Sequence, residues 1–274
     1  MKKMKDMISN ILLVLVMIIG LSLLLYPTVS DYWNSRVQSY AVKHYQDEVA
    51  VMDQEKYNEI WDAAIAYNRS LAARENMYKL EVSNQLTYHN MLNVGGSGIM
   101  GYIEIPAINV NLPIYHDTEE SILQVAIGHL NWTSLPTGGE STHCVVSGHR
   151  GLPSARLFTD LDKMQMGDLF MLNILDEVLT YEVDQIKIVL PHETEDLLIQ
   201  PGKDLVTLVT CTPYGVNSHR MLVRGHRVEN LEQTQVVRVT ADAVVVEKLI
   251  VAPFLLIPIL LIMLIILLIP KRKK

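Results

Sequence analysis

The chain has 274 residues, with 23 Lys and Arg against 30 Asp and Glu and a formal charge of −7. That length suits one domain of ordinary size with appendages, and the acidic balance argues against nucleic acid as a partner. Mean hydropathy is +0.19, high for a soluble protein, and the excess sits at the two ends.

Ile8 to Tyr26 carries no charge. As a helix this run is about 28 Å long, close to a bilayer core. It reads as a retained anchor rather than a cleaved signal, because it is long for an h-region and Thr28-Val29-Ser30 is only a fair cleavage site. Leu249 to Ile269 is a second uncharged run, interrupted by Pro253 and Pro258, which membrane helices tolerate. Lys2, Lys3 and Lys5 precede the first run, and Lys271, Arg272, Lys273 and Lys274 follow the second. The positive-inside rule then places both termini in the cytoplasm and everything between the runs outside the cell membrane.

From Asp31 to about Met77 the spacing predicts two helices. Trp33, Val37, Tyr40, Ala41, His44 and Tyr45 mark the first, and Tyr57, Ile60, Trp61, Ala64, Tyr67 and Leu71 the second. Asp53 is a plausible N-cap for the second. The aromatic stripe reads as core packing rather than a ligand platform. Tyr78 to Asn93 fits neither period, and Gly95-Gly96-Ser97-Gly98 marks a boundary. Beyond it the pattern is β. Strands are expected at Met100 to Ile105, Val110 to Tyr115, around Val145, and at Leu169 to Ile174. Others follow at Leu179 to Val189, Leu205 to Cys211 and Met221 to Val228, with one short helix from Glu119 to Ala126. Many short strands with few helices suggest a mainly β barrel or sandwich. Gln233 to Val246, rich in Val and Thr, reads as a stalk entering the membrane. The expected divisions are therefore 1–30 for the tail and first span, 31–94 for the N-terminal helices and 95–230 for the β domain. Residues 231–248 form the stalk, and 249–274 the second span and basic tail.

The chemistry concentrates at two strand ends. Thr207-Leu208-Val209-Thr210 is β-branched at three of four positions and ends on Cys211; Pro213 and Gly215 then turn the chain, and Arg220 opens a returning strand. A reactive thiol needs partial exposure and a positive neighbour, because the thiolate is the nucleophile. Upstream, His143-Cys144-Val145-Val146-Ser147-Gly148-His149-Arg150-Gly151 is another strand ending in a Gly-bracketed polar turn. Two strand ends in one sheet can bring an imidazole to a thiol, and an arginine can stabilise a carbonyl oxyanion. His219 adjoins Arg220 and so faces the other way in a regular strand, which favours His149 as the partner of Cys211. His129 reads as a hydrogen-bonded structural residue and Cys144 as a small buried hydrophobe. Nine histidines invite a metal, yet no His-x-x-x-His or Cys-x-x-Cys spacing occurs, and neither metal nor cofactor is expected.

The two blocks, Ser147-Gly148-His149-Arg150-Gly151 and Thr207-Leu208-Val209-Thr210-Cys211 with Arg220, resemble the sortases, cell-surface transpeptidases of Gram-positive bacteria. The run from Cys211 to Arg220 is most similar to class C, the pilus-polymerising branch. This resemblance implies an eight-stranded sortase β-barrel between N-terminal helices and a transmembrane segment at each end. It implies His149, Cys211 and Arg220 as catalytic residues, with Ser147 and Thr210 as flanking candidates for substrate binding, and it requires Cys211 to be a free thiol. The substrate would be a pilin bearing an LPXTG-like sorting signal, and the incoming nucleophile a pilin lysine. A sortase that attaches proteins to peptidoglycan cross-bridges is the competing enzyme reading; a membrane-tethered adhesin or receptor ectodomain is the non-enzyme one. Class C members usually carry a lid with an Asp-Pro-aromatic anchor. The stretch from Arg74 to Asn93 has no Asp and no Pro, so no stable plug over Cys211 is expected.

Overall fold

In the computed structural model, residues 2–73 and 87–230 are described. The expected stalk and second span, 231–274, and most of the stretch searched for a lid, 74–86, lie outside them.

The first surprise is length. Helix α1 runs unbroken from Lys2 to Ala50, about 74 Å at 1.5 Å per residue. It absorbs both the apolar run and the helix expected after it, with Pro27 inside it. Among the described residues, Ser9–Ala50 is the helical stretch long and apolar enough to cross a membrane. Helix α2, Gln54–Ala72, starts at the expected cap: the Asp53 carboxylate accepts the Lys56 N–H at 2.8 Å. It buries Ala64, Tyr67, Asn68 and Leu71. Asn68 is 3% exposed and grips the chain at Leu135 on both sides, accepting its N–H at 2.7 Å and donating to its carbonyl at 3.0 Å.

Eight strands then close a barrel. They are β1 (Ile99–Ile105), β2 (Val110–His116), β3 (Ile127–His129), β4 (Thr142–Ser147), β5 (Leu169–Ile174), β6 (Glu177–Val189), β7 (Asp204–Thr212) and β8 (His219–Arg227), in the spatial order β1-β2-β3-β4-β7-β8-β6-β5. Closure removes the open edges that would otherwise invite pairing with other chains. The expected helix before β3 shrinks to α3, Glu120–Leu123, and β3 itself carries no strand pattern in the sequence. Three residues are too few for an alternation to register.

Most neighbours are antiparallel, but β2–β3 and β4–β7 run parallel, the latter with Cys144 opposite Val206, Val145 opposite Thr207 and Ser147 opposite Val209. Because side chains alternate, these registers assign faces. Cys144, Val146, Val206, Leu208 and Val223 point into the barrel core with Phe158, Phe170 and Tyr181. Val145, Val209 and Leu222 point outward and are roofed by Leu197, Leu130 and Trp132. The sheet at β4-β7-β8 is thus buried on both sides, which is why its strands read as continuous apolar runs.

The C-terminal part of α1 lies on the barrel. Asp31 accepts the Arg156 N–H at 2.9 Å, Asn34 donates to Ser154 O at 2.8 Å, and Gln38 to Val125 O at 2.6 Å. Further along, the Tyr45 hydroxyl donates to Met100 O and accepts the Leu175 N–H at 2.7 Å.

Candidate active site

Cys211 is the last but one residue of β7, and its strand partner on β8 is Arg220. Directly opposed residues share a face, so the two side chains leave the sheet on the same side. The face is the outer one, since Val209, two residues back, belongs to the outward cluster. Cys211 is half-buried and free, as a nucleophile must be, while Cys144 is buried and burial pushes its thiol pKa up. Two cysteines that might have paired are therefore separated by opposite faces and neighbouring strands. The Arg220 guanidinium is steadied by carbonyls of its own turn: Nη1 donates to Asn217 O at 3.2 Å and His219 O at 3.1 Å. Between the two residues, Pro213 O accepts from both Val216 N and Asn217 N, closing the turn that reverses β7 into β8.

His149 arrives along the parallel register. Ser147 pairs with Val209, and Gly148 N–H continues the ladder to Val209 O at 3.0 Å. Two residues past Ser147, just beyond the end of β4, is His149, as Cys211 is two past Val209, so the strand alternation continued past β4 would carry both onto one face. Gly148 is required there: a Cβ would come within 2.8 Å of Ile127 Cγ2 and Phe158 Cδ2. The Phe158 N–H then donates to His149 O at 3.1 Å, folding the following loop back under the histidine. Beyond it Arg150 bonds Asp162 and lies 6.0 Å from the Tyr214 ring, so the loop after β4 meets the turn after β7.

Ser147 and Thr210 divide in their surroundings. Ser147 is half-buried in the ladder. Thr210 is 1% exposed, and its hydroxyl donates to Gly148 O at 2.8 Å, tying β7 to the residue before His149. His219 sits opposite Thr212, off the Cys211 face, with its Nδ1 2.9 Å from Ser218 Oγ.

His129 and His143 are buried in the fold. Nε2 of His129 donates to Ser134 O at 2.8 Å while Nδ1 accepts from the Tyr88 hydroxyl at 3.0 Å. In His143, Nδ1 donates to Leu198 O at 2.9 Å and Nε2 accepts from Thr207 Oγ1 at 2.8 Å. Each ring thus carries one proton in place, and burial drives both pKa values down to about 4. Among the described residues no group of three His, Cys, Asp or Glu is placed to hold a metal ion.

One neighbour of His149 had no signal in the sequence. Glu120, at the start of α3, sets its Oε2 3.4 Å from His149 Nε2. A four-residue helix with an acid in its first turn is too common to have marked it.

A profile of the Sortase domain matches residues 103–228. Among solved structures, sortase C1 of Streptococcus agalactiae is 52% identical with a TM-score of 0.68, covering 70% of this chain and 99% of that one. Sortase C of Streptococcus pneumoniae, studied for its catalysis and pilin substrate specificity, is 46% identical with a TM-score of 0.64, covering 70% and 97%. The curated sortase D of Bacillus subtilis is 32% identical over 47% of this chain and 63% of its own length. A curated sortase A of Streptococcus agalactiae is 32% identical, and the match spans 51% of that protein.

Proposed function

Since the chain belongs to the sortase family of cysteine transpeptidases, with class C structures as close relatives, we propose that it polymerises pilins. It cleaves an LPXTG-like sorting signal and joins the acyl fragment to a pilin lysine. The observation that carries this reading is the shared face of Cys211, Arg220 and, by register, His149.

The chemistry follows from that face. The Cys211 thiolate attacks the carbonyl carbon of the Thr–Gly peptide, and the electron pair moves onto oxygen, where the Arg220 guanidinium stabilises it. As the C–N bond breaks, His149 gives its proton to the departing glycine amine, leaving a thioester. The incoming lysine amine attacks that thioester, returns a proton to His149, and expels the thiolate. An apolar N-terminal helix keeps the enzyme at the membrane from which sorting signals emerge. A second span at 249–269 and cytoplasmic positions for both termini complete the arrangement we propose, with the barrel outside.

The test supplies a sorting peptide together with two amines, a pilin domain and a cross-bridge peptide, and identifies products by mass spectrometry. An isopeptide to the pilin lysine supports the reading; exclusive transfer to the cross-bridge amine assigns the enzyme to wall anchoring instead. Cys211→Ala forms no thioester. His149→Ala and Arg220→Ala fall by about 10²–10³-fold or more, the usual loss when an oxyanion donor or proton carrier goes. Wild-type cleavage by Cys211→Ala would remove the nucleophile assignment.

A further inference from the structure

His149 Nε2 is buried and has no hydrogen-bond partner among the described residues. The atom that faces it is a carboxylate oxygen, Glu120 Oε2, at 3.4 Å, an ion-pair distance. The carboxylate does not point there by chance of rotamer. Its other oxygen accepts a bond from the Gln124 side-chain amide, one turn along α3. The carboxyl is held below the usual range, first by that Gln124 bond and then, against some desolvation, by the charge of His149. α3 itself is joined to β3, because Ala126 N–H bonds Ile122 O and Ile127 opens the strand that pairs with β2 and β4. Glu120 and His149 are thereby carried on neighbouring parts of one sheet.

We propose that Glu120 is a positioning residue for His149. It rests on the transpeptidase reading above. The carboxylate holds the Nε2 side of the ring, so Nδ1 is the nitrogen that exchanges protons with substrate. When the ring is doubly protonated, Nε2–H turns to Glu120 in a charge-assisted hydrogen bond shorter than the present contact. Nδ1–H then passes its proton to the glycine amine as the C–N bond breaks, and the Nδ1 lone pair takes one from the lysine amine as the new C–N bond forms. Nε2 keeps its proton throughout, and Glu120 touches neither substrate nor sulfur.

The Glu120 side chain is 70% exposed, so the pairing is screened and the effect is modest. The test is steady-state transpeptidation by the full-length, detergent-solubilised enzyme at 0.1 M and 1 M salt across pH 5–9. Glu120→Gln keeps the shape and removes the charge. We expect kcat to fall about three- to five-fold with KM within two-fold, and the alkaline limb of the profile to move about half a pH unit toward acid. At 1 M salt the gap between wild type and variant narrows. Gln124→Ala, which frees the carboxylate to rotate, shifts the profile in the same direction by less. Glu119→Gln, one residue earlier and exposed, leaves rate and profile unchanged. If Glu120→Gln matches wild type in kcat and profile, or loses rate with its profile unmoved, the positioning role is overturned. Wild-type enzyme that makes no thioester would instead overturn the transpeptidase reading itself.

Discussion

The hydroxyl of Thr210 is a small group in an influential place. It joins the strand of Cys211 to the carbonyl just before His149. Thr210→Val keeps the branch and deletes the bond, leaving the Gly148 carbonyl buried without its partner. We expect a loss of about 1–3 kcal/mol in unfolding free energy, together with a fall in kcat that Thr210→Ser restores. A stable, fully active Thr210→Val in denaturation and kinetic assays would show that the bond is incidental. The buried histidines predict a second residue-scale effect. His129 and His143 have folded pKa values of about 4 against an ordinary 6.5, and burial lowers His116 as well. A depressed histidine binds fewer protons folded than unfolded. Its contribution is therefore intact above pH 6.5 and lost as pH falls through about 4. Each of the two deepest rings can withdraw up to about 3 kcal/mol over that window. Urea denaturation at pH 7.5, 5.5 and 4.5 should show falling midpoints, and His143→Gln should flatten the trend; a pH-independent midpoint would contradict it.

At the scale of elements, the parallel β4–β7 pair sets the face of His149 relative to Cys211. A one-residue slip would turn His149 to the wrong face. Gly148→Ala tests this, because its methyl must displace Phe158 or Ile127. We expect loss of activity exceeding loss of stability, read as residual turnover at a temperature where the variant is still folded. The strands themselves were legible: β-branched runs, turn residues and the two polar blocks gave seven of the eight approximately in place, and those blocks marked Cys211, His149 and Arg220 by type and position. What was not legible has physical reasons. β3 is short, and its Gly128 serves a close approach, since a Cβ there would sit 2.0 Å from Asp117 O. The union of the membrane run with the next helix was hidden by Pro27, which locally argues for a break although α1 continues through it. Thr210 drew notice as a flanking residue, but nothing in a strand pattern says that its hydroxyl bonds Gly148. Glu120 reaches His149 only once the barrel has closed. Asn68 belongs to no apolar period, yet it is the polar peg of α2. Asn68→Ala strips the partners of Leu135 on both sides and should lower stability by about 2–4 kcal/mol, measured by thermal unfolding.

For the molecule as a whole, the decisive feature is that α1 has no joint. In the proposed arrangement, with the apolar run of α1 in the bilayer, the barrel is touched by Asp31 and Asn34, one to two turns beyond the end of that run, and the residues they grip, Arg156 and Ser154, lie in the loop that follows His149. Inserting Gly-Gly-Ser between Ser30 and Asp31 should leave turnover of a soluble peptide within two-fold of wild type. Coupling of membrane-resident pilins in vesicles should fall several-fold, and equal rates in both assays would show that the rigid connection does not matter. The consequence is one of dimensionality. An enzyme on a slack tether explores a hemisphere above the lipid and meets substrate at every height. One mounted on a stiff axle spins about its own long axis and sweeps its active face around a narrow ring at constant altitude. Substrate cleavage sequences held at that altitude by their own anchors are then encountered by lateral diffusion in a plane, and those held higher or lower pass by unread.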